Sequence, residues 1–121
     1  IFQLFVAVVV AFAGIYTVVF FVGPTPPFSV PQRAWRGAFN AVKNDVSAVI
    51  AVFFEFIYFS LSVASTAGFG DVVPQAWLAR IIVMFQAQVA MILNIVLLGF
   101  GIGVVGEAYA RRQALKERWL A

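Results

Sequence analysis

Apolar stretches separated by polar or proline-rich sequence organise the chain. Residues 1–22 are apolar except for Gln3, Tyr16 and Thr17. Helical residues in that number rise about 33 Å, against a bilayer core of roughly 30 Å. A first transmembrane helix is therefore predicted over 1–22. The cluster Gly23-Pro24-Thr25-Pro26-Pro27, with Pro31 soon after, cannot continue a helix. Residues 32–47 then carry Arg33, Trp35, Arg36, Lys43, Asn44 and Asp45. The whole of 23–52 reads as an extracellular loop, in which Trp35 between two arginines suits the headgroup level.

Residues 46–64 are apolar again, but include Glu55, Tyr58 and several serines. Their length would suffice for a further span. We read the C-terminal half, 53–65, as a short helix that enters the membrane and stops, because Gly68 and Gly70 oppose its continuation. Non-helical backbone at membrane depth is tolerated only where protein or water surrounds it. Pro74 turns the chain back toward the surface through a loop over 72–80, where Trp77 and Arg80 form an interfacial anchor. Residues 81–105 are long and apolar enough to span with tilt, so a second transmembrane helix is predicted over 81–106. The tail, 107–121, is charged and helix-like, with Arg111, Arg112, Lys116 and Arg118. The expected fold is all-α: span, re-entrant segment, span, with both ends on one side. The basic tail assigns that side to the cytoplasm, although Arg33, Arg36, Lys43 and Arg80 balance it on the other.

Composition points to lipid as the solvent. The chain is 64% hydrophobic and 11% charged, where a soluble domain has roughly 45–50% apolar and 25% charged residues. It has no cysteine, hence no disulfide or thiolate chemistry, and no histidine, the commonest general base and metal ligand. No nucleophile–base pair or metal-ligand set can be assembled, so an enzyme is not expected. The net charge is +3, with four of the eight basic residues in the tail, which is no nucleic-acid stripe. The first apolar run is too long for a signal-peptide core, and no small-residue cleavage site precedes polar sequence. With Ile1 in place of a methionine, the native N-terminus is expected upstream.

Between the second and third apolar stretches stands Ser65-Thr66-Ala67-Gly68-Phe69-Gly70-Asp71. The pattern T-x-G-[YF]-G-D should arise by chance in so short a chain only about once in ten thousand. Span, short helix, this motif and span together resemble the two-transmembrane potassium channel pore over nearly the whole chain. The resemblance implies a passive potassium-selective channel in the plasma membrane. Its filter, 66–71, would bind K+ through Thr66, Ala67, Gly68 and Phe69, with Gly70 completing the backbone. Potassium leaves water only if its hydration shell is replaced, and inward carbonyls replace it. Consecutive inward carbonyls need backbone angles alternating in hand, which glycine reaches at low cost. One chain contributes one carbonyl per level, so three identical subunits complete a homotetramer. Lipid and K+ are the other expected partners. No cofactor is expected beyond the permeant ion.

The motif also departs from the family's usual form. Ala67 stands where valine or isoleucine is usual, and Phe69 replaces the commoner tyrosine. Ser62 occupies a supporting position where some members have glutamate. Tyr58 is the expected donor to Asp71 in its place. Four copies of Asp71 would form an acidic ring that concentrates cations at the outer mouth. The other reading of Asp71 is a turn residue before Pro74. Glu55 suits the positive end of the short helix, with a role in permeation as the alternative.

On the second span, Met84, Ala87, Met91, Asn94, Leu98 and Ile102 recur at three- and four-residue spacing. This stripe would line the cavity, chiefly through Met91, Asn94 and Leu98. Asn94 falls near the position where inward rectifiers carry an acidic or amide residue. Its alternative is a helix-to-helix hydrogen bond, and Gln86 and Gln88 are open between the same two readings. Gly101-Ile102-Gly103-Val104-Val105-Gly106 matches a dinucleotide fingerprint in letters alone, since no strand precedes it. Gly99, Gly101 and Gly103 read instead as a gate hinge, or as a face for close helix packing. The family's usual hinge glycine aligns with Ala90. The rival functions are a weakly selective cation channel, one pore unit of a potassium transporter, or a membrane scaffold without a pore. No voltage-sensing helix with repeated arginines is present.

Overall fold

A computed structural model describes residues 1–30 and 44–121. The expected interfacial site of Trp35 lies outside them. The elements, in order, are α1 (Phe2–Val22), β1 (Phe28–Ser29), α2 (Val46–Ala64), β2 (Val73–Pro74) and α3 (Trp77–Leu120). By length and hydropathy all three helices qualify to cross a membrane, one more than the two spans expected. Two compact units result, Ile1–Met91 and Ile92–Ala121.

Helix α1 ends where predicted. Gly23 is extended at φ −76° and ψ 164°, and the prolines behind it supply no helical N–H. Its buried residues are Val9, Phe12, Ala13, Tyr16 and Phe20, the spacing of a single helix face.

Helix α2 begins at Val46, not at 53 as expected for the re-entrant helix. The cause is a cap. The Asp45 carboxylate accepts from the Ser47 N–H at 3.0 Å and from its hydroxyl at 2.7 Å. These bonds, the hydroxyl first, hold the Asp45 carboxyl below the usual carboxylate range. Nothing between this cap and residue 53 opposes the helix, so residues 46–52 belong to α2 and not to the loop. Helix α3 likewise starts before the expected 81, at Trp77, and continues unbroken through the glycines and the charged tail.

The core of the first unit is aromatic. Tyr16 and Phe20 from α1, Phe28 from β1, and Phe56 and Phe59 from α2 are buried together. Phe28 meets Phe56 edge-on at 5.0 Å and Tyr16 edge-on at 5.3 Å, the arrangement that ring quadrupoles favour. Two short strands close this unit at one end. β1 and β2 pair antiparallel, Phe28 opposite Pro74 and Ser29 opposite Val73. The Pro27 carbonyl extends the pairing by accepting from Gln75 N–H at 2.7 Å and Ala76 N–H at 3.1 Å. The chain leaving α1 is thereby fastened to the chain approaching α3.

Candidate functional site

The 65–71 segment connects α2 to β2, and all seven of its residues are exposed in the single chain. Its backbone has one distinctive property. Among the described residues, positive φ occurs only at Thr66 (61°), Gly68 (55°) and Gly70 (78°). Left-handed residues thus alternate with ordinary ones from 66 to 70. A uniform strand points successive carbonyls to opposite sides, whereas alternation of hand is what a row of same-facing carbonyls requires. A Cβ on Gly68 or Gly70 would find no atom within 4 Å. The backbone angle, not lack of space, is what demands glycine there. Thr66 tolerates the same region although it is β-branched, at a cost on the order of 1–3 kcal/mol. Its hydroxyl donates to the Ser65 carbonyl at 2.6 Å.

The last turn of α2 holds this segment. The Ser62 carbonyl accepts from Ala67 N–H at 2.9 Å and from Gly68 N–H at 3.3 Å. The Ser65 hydroxyl adds a third donor at 3.3 Å. Thr66 N–H donates to Val63 and Ser65 N–H to Leu61. Helix C-termini leave carbonyls unsatisfied, and here the following segment supplies their donors. The contact of Ser62 with the segment runs through its main chain, while its hydroxyl turns back to the Phe59 carbonyl at 2.8 Å. The Tyr58 ring stacks on that of Phe69, with centroids 5.9 Å apart and planes 12° apart. At the far end, Asp71 Oδ1 accepts from Val72 N–H at 3.1 Å, and Val72 itself is buried.

The inner stripe divides between the two units. In the first, α3 buries Ala79, Gln86 and Ala90, while Met84 and Met91 are exposed on the opposite side. In the second, Leu98 is exposed and Asn94 half-buried. Gly99, Gly101 and Gly103 have no atom within 4 Å of an added Cβ, so none of the described residues packs closely against them.

The sequence leaves Gln86 open between a cavity face and a helix contact, and in the structure it is a helix contact. The Gln86 amide is fully buried. Its Oε1 accepts from the Tyr16 hydroxyl. Its Nε2 donates to the Ser60 carbonyl at 2.9 Å and to Ser60 Oγ at 2.6 Å. Ser60 Oγ in turn donates to the Val9 carbonyl at 2.8 Å. A signal was present in the sequence: each apolar stretch carries a few polar residues, and in lipid such residues seek one another.

No curated protein and no solved structure matched the chain. A family model described as an ion channel matches residues 38–110, which take in α2, the 65–71 segment and α3 as far as Ala110. That is more than half of the chain, and the protein is a member of this ion-channel family.

Proposed function

We propose that the protein is a passive potassium-selective channel in which four copies surround one conduction path. The alternating backbone hand along 66–70 carries the reading. Carbonyls of Thr66, Ala67, Gly68 and Phe69 from four chains form stacked rings that replace the hydration shell of K+. The Thr66 hydroxyl closes the inner end, and four Asp71 carboxylates concentrate cations outside. The exposure of the whole 65–71 segment in one chain fits a path completed by three more.

The strand pairing supports α1 and α3 as the two spans. It joins the chain leaving α1 to the chain entering α3, as two spans that meet at one membrane face would require. Were α2 to cross inward, residues 65–72 would have to climb back through the core. Even fully extended they reach at most about 29 Å, short of a core of roughly 30 Å, and their alternating angles shorten them further. A crossing in the other direction would draw Arg33, Arg36 and Lys43 through lipid, at about 2.5–3.5 kcal/mol for each at mid-depth. A re-entrant α2 avoids both costs. It places its carbonyl end, with partial negative charge, toward a central cavity where a cation is favoured. Met91, Asn94 and Leu98 line that cavity, and the glycines from 99 to 103 supply the gate. The basic tail favours a cytoplasmic side for both ends.

Purified protein in liposomes tests the reading. A potassium gradient should drive flux that an equal sodium gradient does not. Equal fluxes would replace it with a weakly selective cation channel, consistent with the small Ala67 behind the carbonyls. No flux from an assembled tetramer would mean a scaffold.

A further inference from the structure

Permeation as described makes no use of Gln86, yet this side chain joins all three helices of the first unit. It reaches Tyr16 on α1 and Ser60 on α2, and Ser60 reaches Val9 on α1. The position on α2 matters. Ser60 precedes by two residues the Ser62 carbonyl that holds Ala67 and Gly68. The last residue of α2, Ala64, is buried in one cluster with Val9 and Ala90, the latter one turn beyond Gln86 on α3. The turn of α2 that carries the filter is therefore gripped from both sides by polar bonds and by packing.

In lipid this grip decides register. Apolar packing between helices hardly distinguishes one sliding position from another, since lipid is as apolar as the side chains it replaces. A buried amide does distinguish them. Shifting α3 by one turn would strip Gln86 of its partners, and an unpaired buried polar group is costly.

We propose that Gln86 is a positioning residue for the filter. Its amide sets the height and rotation of the last turn of α2, and so the spacing of the carbonyl rings that discriminate potassium from sodium. The inference rests on the potassium-channel reading above. It predicts a defect in selectivity and in the duration of conduction, and not merely in the yield of assembled protein.

Bilayer recordings with potassium on one side and sodium on the other read this directly. Wild-type protein should give a reversal potential set by potassium; if it does not, the potassium-selective reading itself fails. Given a selective wild type, Gln86→Met should assemble, lose roughly tenfold of its potassium preference and show shortened conducting bursts. Tyr16→Phe keeps both bonds to Ser60 and should shift both readouts less, in the same direction. It carries the test if Gln86→Met does not assemble. Variants that assemble less well but keep wild-type reversal potential and burst duration would overturn the positioning role while leaving the channel reading intact.

Discussion

The rings of Tyr58 and Phe69 lie nearly parallel, 12° apart in plane and 5.9 Å between centroids. Phe69 is 68% exposed in the single chain, so this stack is a main contact of its ring within the chain. Ring stacking contributes about 0.5–1.5 kcal/mol beyond area burial. Tyr58→Ala should leave the proposed tetramer intact but shorten conducting periods several-fold in bilayer recordings, whereas Tyr58→Phe should keep them. Equal shortening in both variants would show that the hydroxyl, not the ring, supports the proposed filter, and no shortening in either would remove Tyr58 from its support.

Gly70 adopts φ of 78° with open space around a would-be Cβ. An L-residue in that region costs roughly 1–2 kcal/mol, and the strain would recur in each subunit of the proposed tetramer. Gly70→Ala should abolish potassium flux with assembly unchanged by size-exclusion chromatography. D-alanine at the same position, whose preferred φ has the opposite sign to that of L-alanine, should retain flux. Normal currents from the L-alanine variant would remove residue 70 from the filter.

Asp45 caps α2 through Ser47, and those bonds depress its pKa in the folded state. A depressed carboxylate contributes stability that is present above its unfolded pKa, about 3.9. The contribution is lost as pH falls through the lower folded value. Thermal melts of the detergent-solubilised protein should show this acid-side loss. Asp45→Asn keeps a capping oxygen without titrating and should flatten that part of the profile. An identical acid slope in both proteins would assign it to other carboxylates.

Asn94 is half-buried on α3 and is the polar member of the proposed cavity stripe. A carboxylate facing a water-filled cavity attracts cations. Asn94→Asp should deepen block of outward current by internal magnesium or polyamine. An unaltered block would place residue 94 away from the path.

Several elements were legible in the chain because their causes are local. The end of α1 follows from Gly23 and the prolines behind it. The glycines at 68 and 70 announce backbone angles that the structure then adopts. The start of α2 is not legible, because the long apolar run hides the small polar cap, Asp45 with Ser47, that governs it. The pairing of Phe28 and Ser29 with Val73 and Pro74 left no pattern either, since two-residue strands carry no periodicity.

What the sequence determined by itself was the solvent, the existence of the helices and the glycine backbone at 68 and 70, all set by composition, run length and residue type. Only the tertiary structure decided which faces meet. It put Gln86 inward against Tyr16 and Ser60, and left Met84 and Met91 on the opposite face. In a soluble helix the polar side would have marked the outward face. In a helix made for lipid both faces are apolar, so hydropathy is silent about orientation. Hydrogen bonds between residues far apart in the chain then settle the choice.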